Sequence, residues 1–448
     1  MWHQIQSFQI RMELVILAIA ICDTARIVIT PTLMEDKVKR VYVPTSDVAN
    51  DSVLLKKFYN KKMVEWDQNY SYVNMPLAVM ATIFFGSFSD KHGRKVPMIA
   101  GLLGMFVGNM IYIFVWWDNT DWPLAWLFLA AVSNGITGGF RMVTSSVNAY
   151  LSDQFEVKRV LSIRMIITYT ILNVGDLIGS QLTKLLSHQF HETTAAFVMQ
   201  AINLIVLSYV IFFVPNIKDQ PRDYRFARIA KDGLLSMWAS VKVVIRQREN
   251  YNRTLLWLTF TCVLLNRTAF NEEKDLIGTY TKLDPFHWTT DDFAEYKSYR
   301  PFTQIIGLLF GLFILKKLLK LKDTTIVIIA TVSMGIDSLL IGLATSSLLI
   351  YISMAVGFMH ALTNPLIFTL YSCLVDGQET GRVFALDSIL QQVASFLKTA
   401  VLQTIYTHTL NWYQGFIWII LSVMAIISAI IMTGIHVVLH KSNPDIAI

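Results

Sequence analysis

Charge is what this sequence has least of. Only 16% of its 448 residues are Asp, Glu, Lys or Arg, while 54% are hydrophobic and the mean hydropathy is +0.47. A soluble domain carries about 25% charged residues, so an ordinary soluble protein is excluded. The net charge of +6 gives no support for a nucleic-acid partner, because it sits mostly in the connections between apolar runs. Cysteine is scarce as well. Cys22, Cys262 and Cys373 all fall within or at the ends of those runs, so no extracellular disulfide is expected. No phosphate-binding glycine loop, metal-ligand spacing or catalytic triad pattern occurs, so neither a metal nor another cofactor is expected, and the chain reads as neither an enzyme nor a primary pump. The ten-residue alternation of barrel strands is missing too.

What is present is a succession of about twelve apolar runs, each near the ~20 residues that a helix needs to cross a bilayer core. They span approximately residues 12–34, 73–90, 96–117, 124–150, 162–186, 194–214, 254–281, 297–316, 324–345, 347–371, 384–408 and 415–439. The first lacks a small-residue cleavage site and contains Asp23 and Arg26, so it reads as a retained helix and not a signal peptide. Lys and Arg place both termini on the cytoplasmic side, with nine of them in the connection 215–253. That connection divides the chain into a six-helix half, 1–214, and a second, 254–448. Residues 35–72 are expected as an outer loop, and their sequons at Asn50 and Asn69 as glycosylation sites.

The two halves echo one another. Leu151, Asp153, Arg159 and Val160 recur as Leu374, Asp376, Arg382 and Val383, each displaced by 223 residues, and Phe85-Gly86 is answered by Phe310-Gly311. Parallel repeats of six helices are the architecture of major facilitator transporters. The stretch GSFSDKHGRK, residues 86–95, supplies Gly86, Asp90, Lys91, Gly93, Arg94 and Lys95, which match the GxxxD(R/K)xGR(R/K) motif those transporters carry after their second helix. Its chemistry fits a conformational latch. Gly86 would allow close helix approach, Gly93 a tight turn, Asp90 would face the positive end of a helix, and Arg94 would pair with Asp153. Arg159, Asp376 and Arg382 belong to the same gating set.

Within that superfamily the chain resembles solute carrier family 46, the group of the proton-coupled folate transporter. The resemblance rests on DKHGRKVPMI (90–99), TYTKLDPFHW (279–288), ETGRVFA (379–385) and NWYQGF (411–416). It implies an all-α, twelve-helix facilitator fold and the movement of organic anions or bulky conjugates by alternating access, often with a proton. The folate transporter's carboxylate in the fifth helix is replaced here by Tyr169, with Asp176 two turns later. Its arginine in the tenth falls on Phe368 or Leu370, and 254–281 contains no histidine.

Ionisable groups inside spans cost roughly 2.5–3.5 kcal/mol on insertion scales and are functional candidates by default. Asp23 and Arg26 share a face of the first span. Arg141 lies in the fourth, Arg267 in the seventh and His360 in the tenth. The resemblance places those four spans around the cavity. Arg26, Arg141 and Arg267 are candidate anion clamps; the alternative is that Asp23 neutralises Arg26 and a carboxylate such as Asp176 neutralises Arg141, merely pinning helices, while Arg267, five residues before Glu272, lies nearer the outer mouth. Asp176, Asp23 and His360 are the proton-coupling candidates. Asp387 and Lys398 read as part of the latch and of helix packing.

The expected partners are therefore a small organic anion, protons and the lipid bilayer of a plasma or lysosomal membrane. The favoured activity is secondary active transport. A transporter-like sensor without turnover and a proton-independent facilitator stay open.

Overall fold

The computed structural model describes residues 12–44, 51–117, 120–154, 158–215, 251–375 and 380–442, with isolated positions between 231 and 247. All the regular structure among them is helical. In chain order it comprises α1 (Met12–Val41), α2 (Ser52–His92), α3 (Lys95–Trp116), α4 (Leu127–Thr137), α5 (Gly139–Gln154), α6 (Lys158–Gln189) and α7 (Glu192–Phe213), then α8 (Asn252–Tyr280), α9 (Thr290–Phe310) and α10 (Asp323–Gly342). The last five are α11 (Ser347–Val356), α12 (Thr363–Leu374), α13 (Thr380–Leu397), α14 (Gln403–Thr409) and α15 (Phe416–Ser442). Each expected span coincides with one helix or with an interrupted one. Among the described residues six helical stretches, two of them running across an interruption, are long and apolar enough, by length and composition, to cross a membrane.

The interruptions have local causes. The fourth span breaks between α4 and α5 because Gly138 and Gly139 both adopt positive φ, +72° and +48°, which side chains disfavour. The tenth is joined through a 3₁₀ segment, Gly357–Leu362, and the eleventh through a π-helical segment, Lys398–Leu402. Gly93, at φ +91°, ends α2 and turns the chain into α3, as the motif requires.

The second span differs most from expectation. Most of the anticipated outer loop 35–72 is helix: α1 runs on to Val41, and α2 starts at Ser52. Asp51 caps α2, its Oδ1 accepting from the amides of Val53 at 2.8 Å and Leu54 at 3.2 Å. Asn60, Met63, Val64, Gln68 and Ser71 then recur at helical spacing as its buried stripe. The polarity that suggested a loop is the polarity of a helix face with specific partners. Asn69 stands exposed on this helix, while Asn50 lies outside the described residues.

Two compact units result: Met1–Lys37, Pro76–Gly233 and Thr290–Pro301 form the first, and Val38–Met75, Leu234–Thr289 and Phe302–Ile448 the second. These differ from the contiguous halves 1–214 and 254–448, because α1, α2 and α9 each begin in one unit and end in the other. Two of those three changes of unit fall at a proline inside a helix, Pro76 and Pro301. Proline removes the hydrogen bond to the preceding turn and kinks a helix. The two prolines are 225 residues apart, the same displacement as Phe85-Gly86 and Phe310-Gly311. The connection 215–253 lies largely outside the described residues.

In the first unit, Val15, Ile16 and Ile19 of α1 meet Met98, Leu102 and Met105 of α3, Val143 and Val147 of α5 and Val206 and Val210 of α7. In the second, Leu255, Leu256 and Val263 of α8 pack with Ile326 and Ala330 of α10, Leu366 and Leu370 of α12 and Met432, Ile435 and Leu439 of α15. Buried Cys22 and Cys262 carry free thiols.

Close approach of α1 and α6 depends on Gly175 and Gly179. A Cβ on the first would lie 2.6 Å from Ala20 Cβ, and one on the second 2.7 Å from the Ile21 carbonyl oxygen. Gly86 differs: it is exposed, and among the described residues a Cβ there would meet nothing within 4 Å, so no close helix approach is seen at it among them. Gly179→Val is accordingly predicted to cost about 1–3 kcal/mol through overpacking, seen as a lower melting temperature in detergent, while Gly86→Ala melts like the parent protein.

Candidate functional site

Each unit buries its own set of ionisable residues. In the first, α1 carries Asp23, Thr24 and Arg26 within a single turn. Arg26 Nη2 donates to Asp23 Oδ1 at 3.1 Å, and Thr24 Oγ1 donates to Asp176 Oδ1 of α6 at 2.5 Å. The sequence-predicted Asp23 and Arg26 thus pair within α1, and it is Thr24 that joins α1 to the sequence-predicted Asp176 of α6. About a third of the Arg26 side chain, 35%, remains exposed, and it lines a small cavity with Cys22, Asn109, Tyr112 and Gln200. Arg141, on α5, is exposed.

In the second unit, Asn266 and Arg267 are neighbours on α8 and bond to different helices. His360 Nε2 donates to Asn266 Oδ1 at 3.1 Å, and the imidazole lies 4.5 Å from the Phe270 ring. Arg267 Nη1 donates to Asp387 Oδ1 of α13 at 2.8 Å, and the hydroxyl of Tyr371 donates to the same oxygen at 3.2 Å. Arg267 and Asp387 are 10% and 1% exposed, so the charge of Arg267 is compensated by a partner buried with it. This arrangement gives Arg267 a helix-pinning partner that the sequence reading did not supply, and puts Asp387 in packing.

A third constellation was not singled out from the sequence. Glu272 of α8 is fully buried, and neither carboxylate oxygen has a hydrogen-bond partner. One turn on, Asp275 Oδ2 accepts from Lys398 Nζ at 2.7 Å, with the lysine side chain 5% exposed. The adjoining arm of α2 completes the network: Gln403 donates to Asp67 at 2.9 Å, Gln68 Nε2 donates to the Thr399 carbonyl at 3.2 Å, and Tyr406 donates to Asn60 at 2.8 Å. The signal was available in the run Glu272-Glu273-Lys274-Asp275, four ionisable residues inside the span drawn as 254–281. From the sequence, Glu272 bears only on whether Arg267 lies nearer the outer mouth.

Of the gating motif, Arg94 Nη1 donates to Ser89 Oγ at 2.5 Å, and Lys95 Nζ caps the carbonyl of Ile211 at 2.8 Å. The side chains of Asp90, Asp153, Arg159 and Arg382, and the whole of Asp376, lie outside the described residues. So does the expected pairing of Arg94 with Asp153.

Ionisable groups buried within long apolar helices, in two compact units whose helix breaks carry some of those groups, define a polytopic membrane protein built around polar sites. Residues 71–398 match the family model described as Major Facilitator Superfamily, and the chain belongs to that superfamily. Its curated relatives are members of solute carrier family 46. It is 26% identical, over 81% of this chain and 71% of the relative, to the probable peptidoglycan muropeptide transporter SLC46 of Drosophila melanogaster. It is 20% identical, over 79% and 75%, to the lysosomal proton-coupled steroid conjugate and bile acid symporter SLC46A3 of Rattus norvegicus. It is likewise 20% identical, over 80% and 75%, to the proton-coupled folate transporter of Bos taurus. Among solved structures, the POT family transporter PepTSo aligns with a TM-score of 0.68 at 12% identity, covering 97% of this chain and 99% of that one. The human organic anion transporter MFSD10 aligns at 0.62 and 15%, covering 94% and 97%. These likenesses establish the fold.

Removing one partner of a buried ion pair strands the other, at about 3–5 kcal/mol. Arg267→Ala is therefore predicted to lower the melting temperature sharply, and Arg267→Met combined with Asp387→Leu to recover most of the loss. A single variant that melts like the parent would remove the pinning role.

Proposed function

We propose that this protein is a secondary active transporter that moves an organic anion or amphipathic conjugate across its membrane by alternating access, together with protons. The observation that carries the reading is the placement of titratable and cationic side chains inside membrane helices, Asp23, Arg26 and Asp176 in one unit and Arg267, His360 and Glu272 in the other. Such groups are costly in hydrocarbon, and where they are kept they mark pathways for a solute or a proton. Arg26 and Arg141 are the preferred anion contacts, since a partly exposed guanidinium keeps a planar fork for carboxylate or sulfate. Arg267 contributes through the architecture of its ion pair. Relatives named for steroid conjugates, bile acids, folate and muropeptides support a bulky, anionic cargo. Asp176, Asp23 and His360 remain proton-coupling candidates, each with a hydrogen-bond partner in place.

Uptake into proteoliposomes of estrone sulfate, taurocholate, a reduced folate and muramyl dipeptide, with and without an inward proton gradient, tests the proposal. Gradient-stimulated accumulation of at least one probe is expected, and Arg26→Gln should raise its KM with little change in melting temperature. Equal uptake in both conditions would leave a proton-independent facilitator. No uptake by folded protein would favour a sensor without turnover.

A further inference from the structure

We propose that Glu272 is a proton-carrying residue of this transporter and that Lys398 is exchanged between Asp275 and Glu272 as the proton leaves and returns. The proposal deepens the transport reading above and rests on it.

Glu272 is the carboxylate whose surroundings least suit an anion. It is fully buried, and neither oxygen meets a donor among the described residues. An unpartnered ionised carboxylate in an apolar interior costs far more than a neutral acid. Asp23, Asp176 and Asp387, by contrast, each accept a hydrogen bond from a basic or hydroxyl side chain. The charged groups facing Glu272 are Lys398, beside the π-helical segment, Asp275 on its own helix and Asp67 on α2, and Tyr406 of α14 is the neighbouring phenol.

The charges suggest how the site works. With Glu272 neutral, Lys398 and Asp275 form a closed pair. When the Glu272 O–H bond breaks and the proton passes to water, the new carboxylate takes the ammonium of Lys398, and the Lys398–Asp275 bond breaks. Asp275 can accept that loss because its side chain is 44% exposed and takes water in exchange. Glu272 and Asp275 lie three residues apart on one helix face, so the ammonium needs to travel only about one turn. Protonation reverses every step, and the ammonium of Lys398 faces a carboxylate in both states.

The backbone around Lys398 suits such a movement. The amide of Gln403 reaches back five residues to the Lys398 carbonyl, and the carbonyl of Thr399 accepts instead from Gln68. π-Segments of this kind concentrate at functional sites.

Infrared difference spectra of the purified full-length protein, wild type minus Glu272→Gln, test the proton directly. A protonated-carboxyl C=O stretch present in the wild type at neutral pH and absent from the variant is expected, and in Lys398→Gln that stretch should persist to more alkaline pH. A merely structural carboxylate would give neither result. In proteoliposomes loaded with taurocholate or estrone sulfate, Glu272→Gln should retain exchange of labelled probe while its gradient-driven accumulation falls to the level without a gradient. Absence of the stretch, or full gradient-driven accumulation by Glu272→Gln, overturns the proposal. Should the wild type accumulate neither probe while the stretch is present, the transport reading fails and the protonated site stands.

Discussion

The structure turns on the cost of charge away from water. A chain this apolar can keep ionisable residues inside its helices only by giving each a compensating neighbour or by leaving it neutral. Arg26 has Asp23, Lys398 has Asp275, and Arg267 has Asp387 with a tyrosine behind it. Glu272, buried with neither oxygen hydrogen-bonded, is where pairing gives way to protonation in our proposal. A fold that only needed to persist would be served as well by leucine at such positions, which is why these residues point to function.

The same constraint shapes the helices. Their polar faces are matched in detail, so that Asn60, Asp67 and Gln68 on the arm of α2 each meet an amide, carbonyl or hydroxyl partner. Departures from regular helix fall beside the charges. The π-helical segment begins at Lys398, and the 3₁₀ segment contains His360. Prolines 76 and 301 mark where a helix leaves one compact unit for the other. Backbone irregularity at membrane depth needs polar groups or water to satisfy what the helix gives up.

Much of this was legible in the sequence. Each of the twelve runs that hydropathy marks falls on a helix or an interrupted helix among the described residues, because length and apolar character are dictated by the bilayer. The motif at 86–95 placed the turn at Gly93, because only glycine adopts that backbone without strain. The glycines of GDLIG, residues 175–179, signal close packing by their small size, and the structure makes α1 the partner. Side-chain partners were harder to read. Asp23 with Arg26 was accessible because the pair is local, whereas Arg267 with Asp387 joins residues 120 apart. The arm of α2 read as a loop because its buried stripe is polar, and its partners on α8, α14 and the π-helical segment lie more than 200 residues away. Glu272 was passed over for a related reason: a hydropathy window cannot tell a carboxylate at a span's end from one enclosed by other helices.

The central claim is that cargo and protons move together. Its most direct test is the internal pH of proteoliposomes carrying a trapped pH-sensitive dye, followed as taurocholate or estrone sulfate is added outside at matched pH. The account predicts that the lumen acidifies in step with accumulation of the probe and that empty liposomes stay silent. Accumulation with no change in internal pH would contradict it.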